Sequence, residues 1–204
     1  RKGGCMSNAL RKKKKPMQPL GYSREELDAI HKTTKIQMEQ RDIIGNVQFT
    51  LRNITFFLLY DRFQFGKVRL RNFAKGMAAY DNGCKISTED VFKNISDLKA
   101  HTHIDLQECA RKIPEKEKAK LAGAVKIRTQ SQMHQMAFGV RTGYLSYLTV
   151  VLMVLRKQYR FSERKLKGFM DLMQDHINSF YLGLFADDDL IEVLSDEIGY
   201  QMKK

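Results

Sequence analysis

Little in this sequence interrupts a helix. Its 204 residues include only three prolines, and proline is the residue that breaks a helix most strongly. No stretch shows the sustained alternation of apolar and polar residues that is typical of a half-buried strand. The two absences argue against a mainly β fold and favour an all-α protein.

Cysteine is also scarce. The three cysteines, Cys5, Cys84 and Cys109, are odd in number, and their spacing matches no disulfide framework. His101 and His103 form a single His-x-His pair, whereas a tetrahedral zinc site needs a second pair at similar spacing. We therefore expect no metal and no other cofactor, and the reducing cytoplasm is the compartment that this cysteine usage favours.

Long apolar runs are missing as well. The longest one covers residues 144–155, whereas a helix needs about 20 apolar residues to cross a bilayer. The N-terminus has a basic run but not the apolar segment that a secretory signal places behind it. We therefore predict no membrane-spanning segment, and a membrane is not among the partners that we favour.

Patterns that carry catalysis are not present. No serine or cysteine lies in a nucleophile elbow, and Gly66-Lys67 lacks the rest of a phosphate-binding loop. The acidic run 187–189 does not have the spacing of a calcium loop. It suits the start of a helix, whose dipole favours negative charge. The sequence therefore predicts a protein that is not an enzyme.

Positive charge is what this chain has in excess. Lysine and arginine total 36 against 23 acidic residues, which gives a formal net charge of +13 and a pI of about 9.7. A balance this basic indicates a polyanionic partner, which could be nucleic acid, an anionic membrane or an acidic protein surface.

The positive charge is densest near the N-terminus. Residues 1–22 contain Pro16, Pro19 and an uninterrupted basic run, and we expect a disordered tail there. We expect such a tail to bind nucleic acid by neutralising its phosphates, and the alternative is that it simply aids solubility. The run consists of Arg11, Lys12, Lys13, Lys14 and Lys15.

A stretch near residues 56–77 recurs near residues 151–173. The displacement is 96 residues, from Phe63 to Tyr159, and the matches lie at helical spacing without a gap. Internal repetition of this kind predicts a duplicated architecture. The matched pairs are Phe63 with Tyr159, Phe65 with Phe161, Gly66 with Ser162, Arg69 with Lys165, Leu70 with Leu166, Phe73 with Phe169 and Met77 with Met173.

We therefore predict two tandem three-helix repeats, 23–112 and 113–204, each with a long, a middle and a short helix. Ser23 and Glu26 form a capping box before the first long helix, and Gly199 suits a C-cap after the last short helix. Residues 101–111 are interpreted as a connector, and the charged start of the second long helix as solvent-exposed. The predicted helices are 24–62, 67–80 and one starting at Ser87 in the first repeat, and 115–159, 163–180 and 190–198 in the second.

Both middle helices carry cations after the same turn. Cations coat many solvated helix faces, but here the two repeats present them at the same place, which favours contact with phosphates. A helix that follows a turn and is cationic in front also has the outline of a helix-turn-helix recognition element. The candidate residues are Lys67, Arg69, Arg71 and Lys75 in the first repeat, and Arg160, Arg164, Lys165 and Lys167 in the second.

The repeated turn resembles a group of short helical proteins carried by phages and mobile elements of Firmicutes. Residues 63–73 read FQFGKVRLRNF and residues 159–169 read YRFSERKLKGF. The opening 6–16, MSNALRKKKKP, and the stretch 87–91, STEDV, are similar to the same group.

The resemblance implies a function as well as a fold. The group includes an anti-CRISPR protein that inhibits a Cas9-type nuclease, so we expect a bacterial cytoplasm as the location. The expected partners are the guide-loaded nuclease and double-stranded DNA or RNA. A phage DNA-binding regulator and a structural or assembly factor are the alternatives. The repeats could pack within one chain or exchange between two copies in a homodimer.

Overall fold

The structure is a computed structural model, and it describes residues 23–83, 88–123 and 129–201 of the chain. Within these ranges every regular element is a helix, which confirms the all-α prediction. The residues divide into two compact units, one up to Gln37 and one from Met38. The helices are α1 (Arg24–Asp61), α2 (Lys67–Gly83), α3 (Thr88–Thr102), α4 (Leu106–Lys112), α5 (Glu115–Leu121), α6 (Gln130–Lys157), α7 (Glu163–Leu182) and α8 (Asp187–Ile198).

The first unit contains the beginning of α1. The Glu26 backbone N–H donates to Ser23 Oγ at 3.2 Å, and the Ser23 backbone N–H donates to Glu26 Oε2 at 2.6 Å. Hydrogen bonding from the Ser23 backbone N–H, and then from the Ser23 side chain, lowers the pKa of the Glu26 carboxyl. The predicted capping box is therefore confirmed. The predicted basic tail, residues 1–22, lies outside the described residues.

Two helix assignments from the sequence need correction. The predicted connector 101–111 contains the end of α3 and most of α4, because Asp105 caps α4 by accepting from the Glu108 backbone N–H at 3.0 Å. The predicted helix 115–159 is two helices. Gly123 adopts a left-handed φ of 80° after α5, and Thr129 begins α6 with a capping box of its own.

The core of the second unit lies along α1 and α6, which run parallel. Ile43 packs on Gly139 and Val47 packs on Gly143, so the contacts advance in the same direction along both helices. Glycine at both α6 positions lets the two helix backbones approach closely. A side chain added at Gly143 would lie only 3.2 Å from the Ile44 carbonyl oxygen.

Helix α6 is the most apolar element of the described chain. Its length of 28 residues and a mean hydropathy of 1.5 over its most apolar window would allow it to cross a membrane, although 72% of that window is buried inside the protein. Counting only consecutive apolar residues missed this property. A buried core helix has the same composition, so the property is weak support for a membrane segment.

Helix α8 is attached to α1 by side-chain hydrogen bonds. The Asp187 carboxylate accepts from Thr50 Oγ1 and from Asn53 Nδ2, both at 2.8 Å. Asp189 accepts from the Ala186 backbone N–H at 2.7 Å. The acidic run therefore lies at a helix start, as predicted. Gly199 ends α8 with a left-handed φ of 59°.

Helix α5 was expected to be exposed, but it places a carboxylate in the interior. Glu117 is only 6% exposed, and its Oε2 has no hydrogen-bond partner among the described residues. Burial raises the pKa of Glu117 above its ordinary value of 4.5. The reason is that the protein interior disfavours the charged form.

Replacing Glu117 by glutamine should therefore stabilise the protein at pH 7. The Glu117 carboxyl holds its proton more tightly in the folded state than in the unfolded chain. The stability that this protonation contributes is present at low pH and is lost as pH rises through the folded pKa. We expect Glu117→Gln to raise the urea midpoint of unfolding at pH 7. This rise should vanish at about pH 4. An unchanged midpoint at pH 7 would show that the carboxylate is solvated.

Candidate nucleic-acid interface

The turns that precede α2 and α7 have the same backbone geometry. The Phe65 N–H donates to the Leu59 carbonyl at 2.9 Å, and the Phe161 N–H donates to the Leu155 carbonyl at 3.1 Å. Residue 64 has a φ of 54° and residue 160 a φ of 53°. Each helix before the turn thus ends in the same left-handed cap, of the kind that glycine usually supplies.

The two turns pack on each other through reciprocal aromatic contacts. Each contact made by a ring of the first turn is matched by one between the equivalent residues, 96 positions away. This reciprocity is the mark of a two-fold relation between equivalent surfaces. The centroid distances are 5.2 Å for Phe63 with Phe161, 6.0 Å for Phe63 with Phe169, 4.9 Å for Tyr159 with Phe65 and 6.1 Å for Tyr159 with Phe73.

The same relation extends into α1 and α6. Ile43 and Gly139 are equivalent positions that contact each other, and so are Val47 and Gly143. Equivalent residues meet only close to a two-fold axis. A local pseudo-two-fold axis therefore runs between the two parallel helices and passes through the aromatic cluster of the turns.

The predicted basic residues on α2 and around the start of α7 are all exposed. The five of the N-terminal run lie outside the described residues. The eight exposed cations are Lys67, Arg69, Arg71, Lys75, Arg160, Arg164, Lys165 and Lys167.

One cation of each helix lies over the aromatic cluster. The Arg69 guanidinium is 4.3 Å from the Phe65 ring centroid and 5.9 Å from that of Tyr159. The equivalent Lys165 Nζ is 5.7 Å from the Phe161 ring centroid. Rings hold a cation by their negative faces. The rings of the two turns therefore hold the charges of Arg69 and Lys165 near the pseudo-two-fold axis.

Comparison of this chain with known protein families, curated proteins and solved structures gives no match.

The two halves of the candidate interface differ in charge. Helix α2 has no acid in its first turn, whereas α7 begins with Glu163. The Lys167 ammonium donates to Glu163 Oε1 at 2.6 Å, and this hydrogen bond lowers the pKa of the Glu163 carboxyl. Asp171 stands where the first half has Lys75. The α2 half therefore carries more net positive charge.

Positive charge at the start of α2 is unfavourable for the isolated helix. Lys67 and Arg69 lie at the positive end of the helix dipole, where acids are the stabilising residues. An anionic ligand at this position would relieve the repulsion, because backbone N–H groups at a helix start also attract anions.

Residues that could bind a metal do not cluster in the described part of the chain. Within 23–83, 88–123 and 129–201, no three histidine, cysteine or acidic residues are placed to hold a metal ion. Cys109 is half-buried, and burial raises the pKa of its thiol. A high pKa disfavours the reactive thiolate. Cys5 and Cys84 lie outside the described residues.

Proposed function

We propose that this protein binds nucleic acid through the cations of α2 and α7 without catalysing a reaction. The observation that carries the proposal is the pairing of Arg69 with Lys165 and of Arg71 with Lys167. Each pair is exposed at equivalent positions after the same turn. Charges that only aid solubility need no such equivalence.

The biological role that we propose is counter-defence against a DNA-targeting nuclease. The protein would act in the cytoplasm of a phage-infected bacterium as an anti-CRISPR inhibitor of a Cas9-type nuclease with its guide RNA. Two features support this role, the resemblance at residues 63–73 and 159–169 and the basic surface. An inhibitor of this kind needs a complementary surface but no chemistry.

The proposed architecture behind this surface is a tandem duplication with repeats at 23–112 and 113–204. Helices α1, α2 and α3 would correspond to α6, α7 and α8, with α4 and α5 between them. Support comes from the matching turn geometry and from helix ends that coincide at a 96-residue displacement. Helices α1 and α6 end at Asp61 and Lys157, and α2 and α7 begin at Lys67 and Glu163.

A cleavage assay with guide-loaded Cas9 tests the proposed role. Saturating protein should suppress cleavage of a matched DNA target. A variant with Lys67, Arg71 and Lys75 changed to glutamate should require at least about tenfold more protein for the same inhibition, since each reversed cation repels a phosphate. Full cleavage at saturating wild-type protein would contradict the proposal.

A matched control separates the position of the charges from their number. Lys93, Arg111 and Lys116 are exposed residues of α3, α4 and α5. Changing these three to glutamate alters the net charge by the same amount but leaves the interface intact. The control variant should inhibit nearly as well as the wild type. Equal losses in both variants would mean that only total charge matters.

A further inference from the structure

We infer that the ligand of this surface is a double helix, and that the two halves of the protein hold its two backbone strands. This inference rests on the proposed nucleic-acid binding and specifies its ligand. It follows from the pseudo-two-fold axis, which the reciprocal ring contacts and the α1–α6 contacts define independently.

The axis determines how a ligand can be held. Arg69 touches rings of both turns, since its guanidinium lies 4.3 Å from the Phe65 centroid and 5.9 Å from the Tyr159 centroid. It therefore lies at the boundary between the halves rather than at the outer edge of one. Lys165 occupies the equivalent position on the other side. A ligand that contacts both must straddle the axis.

The spacing of these two cations is bounded by the rings between them. Arg69 to Phe65, Phe65 to Phe161 and Phe161 to Lys165 are 4.3, 6.3 and 5.7 Å. The charged groups can be no farther apart than these three steps together. This upper limit is larger than the width of the major groove of B-form DNA, which is about 12 Å. The bound is therefore compatible with one cation on each side of a single groove.

A duplex backbone has the symmetry that this surface presents. Its two antiparallel strands are related by two-fold axes perpendicular to the helix, so the phosphates on either side of a groove are equivalent. Proteins with a two-fold axis align it with such an axis of the duplex. A single strand has no axis of this kind, and it would engage one half at a time.

Binding of one 20-base-pair duplex and of each of its separate strands tests the inference. Fluorescence anisotropy with labelled DNA measures both for the wild-type chain. We expect the duplex to bind at least about tenfold more tightly than either strand, because only the duplex meets both halves. Equal affinity for duplex and single strand would overturn the inference while leaving nucleic-acid binding in place.

Two half-variants complete the test. One changes Arg69 and Arg71 to glutamate, and the other changes Lys165 and Lys167. Each should weaken duplex binding by at least about tenfold and lower the salt slope by about 2. The α2 variant should have the larger effect, because that half is more positive. Unchanged duplex binding in either half-variant would contradict two-sided contact.

The outcomes distinguish this inference from the proposal beneath it. If the wild-type chain binds neither duplex nor single strand at low salt, then the proposed function fails as a whole. Thermal unfolding of each half-variant identifies loss of binding that comes from misfolding. If either half-variant is unfolded, Arg71→Glu and Lys167→Glu alone replace the pairs, since neither residue supplies the ring contacts described for Arg69 and Lys165.

Discussion

Gly143→Leu should lower the free energy of unfolding by about 3 kcal/mol, the upper part of the range for overpacked cores. A Cβ at this position would lie 3.1 Å from Val47 Cβ and 3.2 Å from the Ile44 carbonyl oxygen. Backbone atoms cannot move aside as a flexible side chain can. The larger side chain must therefore push α1 and α6 apart. Urea unfolding followed by circular dichroism measures the loss.

Glycines at open positions of α1 and α7 provide the control. Gly45 in α1 and Gly168 in α7 have no atom within 4 Å of an added Cβ. Changing either to alanine should stabilise the protein by about 0.5–1 kcal/mol, because alanine loses less backbone entropy in a helix. If Gly143→Leu is as well tolerated as these changes, then α1 and α6 do not pack in the way described.

Phe73→Ala and Phe169→Ala should each cost about 4 kcal/mol, and the two losses should be similar. Both rings are fully buried, and they occupy equivalent positions in α2 and α7. Phe73 packs on Tyr159 and Phe169 packs on Phe63, which are equivalent positions as well. The same truncation therefore leaves a similar cavity in both halves.

Phe138→Ala is the matched control for these truncations. Phe138 lies on α6 but is 60% exposed. Its removal should change the free energy of unfolding by no more than about 0.5 kcal/mol. A large loss for Phe73→Ala with a small loss for Phe169→Ala would show that the two halves are not energetically equivalent.

The pseudo-two-fold axis explains why glycine is needed on only one side. At such an axis each residue faces its own equivalent. Two copies of Ile43 or of Val47 would crowd one another at the observed approach. Within a single chain the two helices can differ in sequence. Helix α6 has Gly139 and Gly143 at the positions where α1 has bulky residues. A homodimer of identical halves could not place glycine on one side of the axis and a bulky residue on the other.

Several helix ends could be predicted because their caps are local. Ser23 and Gly199 were predicted as caps from the sequence, and both act as caps in the structure. Ser162 also caps α7 by accepting from the Lys165 backbone N–H at 3.4 Å. These signals depend on residues three to five positions apart, so no knowledge of tertiary packing was required to identify them.

The middle of the chain was predicted less well because tertiary contacts decide it. Asn46 Nδ2 donates to the Ala122 carbonyl at 3.0 Å and so fixes the chain where α5 ends. That partner lies 76 residues away, and periodicity alone favoured one continuous helix. Glu117 was assigned to a solvated face because of its charged neighbours. Helix α5 packs on α6 and α7, and Glu117 is buried there instead.

The candidate interface, too, was predicted only in part from the sequence. The eight cations expected from the sequence are exposed, seven of them on α2 and α7 and Arg160 in the turn before α7, since the apolar residues between them had to face inward. Sequence did not reveal that the repeated rings contact one another reciprocally. The match between Phe63 and Tyr159 could have indicated this contact, but the two residues were interpreted as core positions of separate repeats.

The salt dependence of duplex binding tests the central claim most directly. Affinity for a 20-base-pair duplex is measured over a range of salt for the wild type and for a variant with Arg69, Arg71, Lys165 and Lys167 all changed to glutamate. We predict a steep salt dependence for the wild type and a slope lower by about 4 for the variant, which has lost four phosphate contacts. Equal slopes in two folded proteins would contradict the claim that these paired cations form the nucleic-acid interface.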